Sequence, residues 1–459
     1  MKFYKKYISI VIVFFAFVSC RKFVEVNPPT TRLVSSTVYT TDASATSAVL
    51  GIYSGMMTNQ FSFTSTGTTL YAALSADEFT NYSSNSTQGE FYKNSLSTTN
   101  TTVLAIWSNA YNFIYDANAV LNGLKNSASL SPQTKKQLEG EALFVRSFCY
   151  FYLVNFFGDV PLILSTDYKA NNTSVRNSAG AVFEQVTNDL IKAQTLLSAD
   201  FSFSNGERVR PTSAAASALL ARVYLYRSDW TNSKAAADLV INNPAFQLLS
   251  NLNDVFLMNN MESIFQLYPV RPGVNTFEGN SFILNAEPAS SGAGVALSNN
   301  LLNAFDSGDN RKTSWINSIT TNGKTYYYSY KYKVESSIVL TEYYTVLRLA
   351  EQYLIRAEAK ARLNDLTGAA ADLNVIRNRA GLAPIIATNQ QVLMDAIIHE
   401  RQTELFSEWG NRWFDLKRTN RADSILSIVK QGWKPSAALF PIPDNQIKNA
   451  PGTTQNPGY

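Results

Sequence analysis

The sequence predicts a mainly α chain in which paired helices pack against a loop-rich part with little β structure. Three observations carry this reading. The stretch "EGEALFVRSFCYFYLVNFFGDVPLI" sets Ala142, Val145, Cys149, Leu153 and Phe156 at steps of three and four residues. That spacing makes one apolar helical face, with Gly158 and Pro161 to end it. The string "AAADL" occurs at 235–239 and again at 369–373. The helices before it agree at the same offset of 134: Ala215, Leu219, Arg222 and Val223 fall on Leu349, Tyr353, Arg356 and Ala357. Strand character is confined to pieces such as "SIFQLYPV" and "KTYYYSYKYKV".

Taken in order, the chain opens with Lys2, Lys5 and Lys6 before an apolar run from Tyr7 to Val18. The run is too short to cross a bilayer as a helix, which takes about 20 residues. It has the form of a secretory leader over 1–19. Cys20 follows at once, in a context that resembles a bacterial lipobox, with Phe17 and Val18 in place of the usual leucine and small residue. Cys20 is then a lipid tether, its acyl chains each contributing about 0.8 kcal/mol per buried CH₂. Residues 20–36, with Pro28 and Pro29, form a lipidated linker. Thr41 or Asp42 caps a helix running to about Met57. Residues 58–103 are a polar excursion, a functional loop or a disordered one. Helical spacing resumes at "AIWSNAYNFIYDANAVLNGL", and a partner helix covers about 179–198. Each copy of the echo reads as helix, short turn, Ala-rich helix. This resembles tetratricopeptide pairs, and four periods of about 34 come near the offset. Composition then divides the chain into 37–245 with helix pairs, a loop-rich insertion over 246–345, and a C-terminal region over 346–459.

Composition excludes several function classes. Removing the three leader lysines lowers the formal charge from +4 to +1, too little for a nucleic-acid surface. His399 is the only histidine, so a histidine-ligated metal cluster or a serine-histidine triad would rest on it alone. Cys149 sits in an apolar helix and reads as an inert buried thiol. With Cys20 acylated it has no disulfide partner, so the core alone holds the fold. The 24 tyrosines and 27 phenylalanines exceed ordinary core needs and point to aromatic contact surface.

Several segments together resemble the SusD/RagB family of outer-membrane nutrient-binding lipoproteins: "IIHERQTELFSEWGNRWFDLKR" at 397–418, the C-terminal "LFPIPDNQIKNAPGTTQNPGY", "GEALFVRSFCYFYLVNFFGDVPL", "AEQYLIRAEAKARL", and "DNR" at 309–311. The resemblance implies a SusD-like fold of four tetratricopeptide-like helix pairs against an irregular part. It implies a cell-surface protein on the outer membrane that partners a SusC-like TonB-dependent transporter. It would bind a glycan, or a peptide, with no cofactor and no catalysis. Arg21 and Lys22 stand where members often carry acidic residues.

Glu400, Glu404 and Glu408 share one face of the 397–418 segment, with Arg412 four residues on. They read as i,i+4 pairs stabilising a helix, opposite an apolar stripe of Ile398, Leu405, Trp409, Trp413 and Leu416. His399 is likewise structural, and Trp107 and Trp413 are core. Ligand residues should lie on loops. Two stretches qualify, giving Asp77, Asn81, Tyr82, Phe91 and Tyr92 from the first, Trp315 and Tyr327 from the second. A helical glycoside hydrolase and a repeat scaffold binding a protein are the alternatives.

Overall fold

The computed structural model describes residues 38–386, 389–450 and 452–459. The expected leader, Cys20 and the linker lie outside the described residues. Helix α1 (Asp42–Met56) starts where Thr41 Oγ1 accepts from the Ser44 amide at 3.2 Å. The polar excursion is not a loop. It holds α2 (Thr68–Ser75), β1 (Phe79–Asn81) and α3 (Ser86–Lys93), and every residue of α2 is buried. Several of its serines and threonines spend their hydroxyls on local carbonyls, such as Thr68 Oγ1 to Phe63 O at 2.6 Å, so a polar composition still packs.

The long helices α4 (Thr101–Asn126) and α5 (Pro132–Phe157) follow. Asn100 and Ser131 cap them, and Gly158, at φ 72°, ends the second. Next come α6 (Ala179–Leu196), α7 (Ser213–Tyr226) and α8 (Trp230–Ile241). After the insertion stand α9 (Asn310–Trp315), α10 (Leu349–Arg362), α11 (Leu366–Arg379), α12 (Gln390–Glu404) and α13 (Asn411–Arg418). The helices stack in sequence, α4 on α5, α5 on α6, α6 on α7, α7 on α8, then α8 directly on α10.

That last contact corrects the reading of the echo. Its two copies, α7/α8 and α10/α11, are neighbouring units; the offset of 134 records one long insertion between them rather than four repeats. Equivalent residues bind across the joint. Arg222 donates to Glu351 at 2.7 and 2.6 Å. Arg356 reaches Asp372 at 2.9 and 2.7 Å and Asp238, the equivalent aspartate of the previous unit, at 2.8 Å. The insertion is closed at its neck by β2 (Ser263–Leu267) pairing antiparallel with the last strand, Tyr344–Arg348.

The 397–418 segment also departs from expectation. It is not one helix: α12 stops at Glu404, and Ser407, Trp409 and Gly410 take left-handed φ values of 52°, 49° and 71° before α13. The Ser407 amide donates to Glu78 at 3.1 Å and the Trp409 amide to Thr69 Oγ1 at 3.0 Å, which hold the strained turn. Glu408 and Arg412 are therefore not an i,i+4 pair. Arg412 forks onto Asp77 at 2.8 Å twice, and Glu408 takes Arg348 at 2.7 and 2.8 Å and Lys331. Glu404 accepts from Arg348 at 2.6 Å, Arg311 at 3.0 Å and Arg379. Burial alone would raise the Glu404 carboxyl; the surrounding Arg379, Arg348 and Arg311 cations hold it well below its ordinary range. Cys149, Trp107 and Trp413 are buried as expected.

Cutting one member of this network should be costly, because the partner charges stay buried. Arg348→Ala is expected to lower unfolding free energy by about 3–5 kcal/mol in denaturant titration, and Arg348→Lys should not rescue it, since an ammonium cannot fork. A second outcome concerns Glu278. Burial lifts its carboxyl from 4.5 to about 8, and Tyr344 Oη donates to it at 2.9 Å. A carboxyl raised on folding stabilises fully below 4.5 and loses that contribution as pH rises through about 8. Glu278→Gln removes this loss. Its melting temperature should gain on the wild type's steadily from about pH 5 to about pH 8; parallel curves would refute the assignment.

Candidate functional site

The insertion carries a two-stranded hairpin whose origin is local. After β2, the strand β3 (Val295–Leu297) pairs antiparallel with β1. Then β4 (Ile316–Thr321) and β5 (Lys324–Ser329) are joined by Asn322-Gly323 at φ 51° and 74°, the left-handed pair that a two-residue turn needs. Side chains alternate across β5. Tyr328 turns inward, where Ile283, Leu284 and Ala296 form a small apolar cluster with Tyr326, Ile319 and Tyr82 against it. Tyr327 stands outward, 41% exposed.

The β1–β3 pairing carries the first predicted stretch onto the second. The Tyr82 amide donates to Gly294 O at 2.8 Å. The Tyr82 ring then meets Tyr326 edge to face, 5.4 Å between centroids at 85°. Lys324 Nζ lies over both rings, 5.2 Å from Tyr82 and 4.9 Å from Tyr326. Asn81 is oriented by Gln88, whose Nε2 donates to its Oδ1 at 2.9 Å and to Ala293 O at 2.9 Å. Residues 242 or more apart in sequence thus make one platform: Asn81, Tyr82, Lys324 and Tyr326, with Tyr327 on the other face of the hairpin.

At the hairpin's base a cleft of about 410 Å³ is lined by Asn253, Thr313, Ser314, Asn317, Tyr330 and Lys333. Lys333 Nζ donates to Ser314 O at 2.7 Å and sits 4.4 Å from the Tyr330 ring centre. A smaller hollow of about 180 Å³ near the other side of β1 is lined by Asp77, Tyr92, Asn299 and Lys430. Lys430 lies 4.2 Å over the Tyr92 ring, and burial lowers its ammonium to about 7.

Three predicted residues are not free surface. Phe91 is fully buried against Tyr71 and Phe440. Trp315 is fully buried as well, its Nε1 donating to Leu252 O at 2.9 Å and Lys331 lying 4.7 Å over its ring. Asp77 lines the smaller hollow but its carboxylate is held by Arg412. Both aromatics lie in helices whose inward faces were hidden from a reading that took their stretches as loops. Lys324, Tyr330, Lys333 and Asn253 were not singled out; the Asn-Gly turn within "SITTNGKTYYYS" was the signal for the hairpin.

Chemically, the platform offers ring faces, amides, hydroxyls and cations. Among the described residues no group of His, Cys, Asp and Glu could hold a metal ion. Glu78 is raised to about 8 by burial and by the neighbouring Asp77. Like Glu278 it has an acid's character, but both are sealed in the interior. Glu400, Glu404 and Glu408 are each bound by arginine or lysine. His399 lies 3.8 Å from Asp306. No described helix is long and apolar enough to cross a membrane.

Comparison with known proteins follows this geometry. A SusD-like family described as "Starch-binding associating with outer membrane" matches residues 22–225, and the SusD family matches residues 306–459. SusD-like protein P2 of Formosa agariphila is 25% identical, covering 99% of this chain and all of its own. A SusD-like protein of Bacteroides ovatus is 28% identical over 72% of this chain and 68% of its own. Among solved structures, a SusD superfamily protein of Bacteroides vulgatus superposes with TM-score 0.80 at 21% identity, covering 91% of this chain and 99% of that one. A laminarin-binding SusD-like protein gives 0.74 at 24% identity, over 92% and 100%. Surface glycan-binding protein A of Bacteroides uniformis gives 0.77 at 20%, over 90% and 99%. Two family matches that between them take in both halves of the helical stack, full-length relatives and a shared helical fold leave one conclusion: the chain belongs to the SusD/RagB family.

Proposed function

We propose that this protein is a surface lipoprotein that binds a glycan without cleaving it and delivers it to a SusC-like TonB-dependent transporter of the outer membrane. The observation that carries the reading is the convergence of Tyr82 and Tyr326 beneath Lys324, next to an amide- and hydroxyl-lined cleft. Sugars present CH-rich faces that stack on such rings and hydroxyl edges that amides meet. Structural relatives described as laminarin-binding and surface glycan-binding support the ligand class. Catalysis by a carboxylate pair flanking a cleft finds no support in glutamates that are neutralised or buried. A scaffold role overlaps with this reading, because the helical stack offers the transporter a packing face. Cys20 supplies the membrane tether.

Two outcomes follow. Tyr82→Ala combined with Tyr326→Ala should weaken retention on laminarin or starch in affinity electrophoresis about tenfold, from ring contacts worth about 0.5–1.5 kcal/mol each, and no reducing ends should appear with either protein. Cys20→Ala should release the protein from the membrane fraction, and mass spectrometry of the wild-type N-terminus should find an acylated cysteine; a free thiol there would overturn the anchoring.

A further inference from the structure

Away from the hairpin, α4 carries an aromatic ladder. Trp107, Tyr111 and Tyr115 recur every four residues, so they rise about 6 Å per step along one face. They line a cleft of about 250 Å³ whose opposite wall is formed by Asn172, Gln446 and Asn449. No residue is shared with the hairpin platform or the clefts beside it.

The ladder is held rigidly. Trp107 packs edge to face on Phe157, 5.0 Å between centroids at 84°, and lies 5.0 Å from Tyr111. Tyr111 Oη donates to Pro161 O at 2.8 Å, which fixes its ring. Tyr115 closes the row at the surface, 51% exposed. Several polar atoms of the lining, in contrast, are uncommitted. Thr453, which lines the cleft, is 6% exposed, yet its buried hydroxyl has no hydrogen-bond partner among the described residues. The side-chain amides of Asn172, Gln446 and Asn449 likewise make no hydrogen bond within the described protein. Buried hydroxyls are normally satisfied, so the unpaired one of Thr453 in the wall of a cleft marks a place for a partner from outside. No charged side chain lines the cleft.

From this we infer that the α4 cleft is a second carbohydrate site, specific for an uncharged saccharide. The exposed Tyr115 ring stacks with a sugar face, the half-buried Tyr111 beside it extends the apolar floor, and Trp107 supports both from beneath. The three amides and the Thr453 hydroxyl take the hydroxyl edges. Without a cation or a carboxylate the cleft gives no advantage to a uronate, a sulfate or a charged peptide. Its volume lies below the range of about 300–1,000 Å³ of pockets for drug-sized ligands, so it holds a short run of sugar rings. This goes beyond the proposed function, since it would stand whether or not the hairpin platform binds.

The test is saturation-transfer NMR on the mature protein with maltohexaose and laminarihexaose, at about 10 mM so that a millimolar site is filled. Three proteins are compared: wild type, Tyr82→Ala/Tyr326→Ala at the hairpin, and Tyr115→Ala/Asn172→Ala at the cleft, both of the latter being surface positions. Transfer from at least one probe should persist in the hairpin variant, where 0.5 M salt leaves it unchanged, and fall about twofold in the cleft variant, which keeps the hairpin. Transfer that vanishes in the hairpin variant and survives in the cleft variant would overturn the second site while leaving the proposed function intact. Transfer lost in the cleft variant alone would uphold the cleft and remove the hairpin as a site for these probes. Absence of transfer from both probes in the wild type would overturn the inference.

Discussion

One buried guanidinium sets the position of much else. Arg348 closes the neck of the insertion and contacts Glu262 at 3.2 Å, Glu404 at 2.6 Å and Glu408 at 2.7 Å, three carboxylates from two separate stretches. None of these groups can be left alone inside the protein, because an unpaired buried charge costs several kcal/mol. They must therefore arrive together, and the backbone that brings them is held in one register. The hairpin inherits this. Arg311, ahead of β4, is paired with Glu400 at 2.6 Å and with Glu404 at 3.0 Å. Lys331, just after β5, donates to Glu404 O at 2.8 Å and to Glu408. Both ends of the hairpin are thus moored on one row of glutamates, while its tip and Tyr327 remain at the surface. A loop-borne site gains precision only when its supports are fixed, and here the supports are charges with nowhere else to go.

That arrangement also explains what could be read from the chain and what could not. Periodicity is a local property, so the helices around Cys149, the Ala-rich pairs and the burial of Trp107 and Trp413 followed from spacing. Lone strand signals at "SIFQLYPV" and "KTYYYSYKYKV" became β2 and β5 for the same reason. The row Glu400, Glu404, Glu408 was visible too, but its partners were not. Arg348, Arg379 and Arg311 approach from other elements, and nothing local distinguishes them from Arg412, which looked closer in sequence and pairs elsewhere. The break at Ser407–Gly410 was hidden because its strain is offset by Glu78 and Thr69, more than 300 residues away. Among ligand candidates, Tyr327 stands outward from β5 and Tyr82 is half-buried just after β1. Phe91 and Trp315 could not be told from them, since composition reports the stretch and only the fold reports which face a ring takes.

The repeat shows the same limit in another form. The offset of 134 could be filled by four periods or by one insertion, and arithmetic favoured the first. The contact of α8 with α10, and Arg356 holding Asp238 and Asp372 together, decide for the second. Loop-closure entropy grows only slowly with length, so a helical stack tolerates an excursion of this size between neighbours provided its neck is pinned. The strand pair at β2 and the Arg348 network are that pin. The excursion is then free to carry recognition surface without disturbing the stack.

The two proposed carbohydrate surfaces differ in a way that would matter for a receptor that releases its cargo. The hairpin platform carries Lys324 and, in the cleft at its base, Lys333, so its attraction for anionic groups is long-ranged and weakened by salt. The α4 cleft is uncharged and acts only at contact through rings and hydrogen bonds. Each is small, and a single shallow sugar contact is weak. On one chain, however, a second contact to the same polymer is intramolecular, governed by effective concentration rather than bulk concentration. Tethering at Cys20 would extend the same logic to many copies on one membrane. Weak individual sites would then retain a long polysaccharide while still letting any short segment go, which the proposed delivery to a transporter requires and a single tight pocket would prevent.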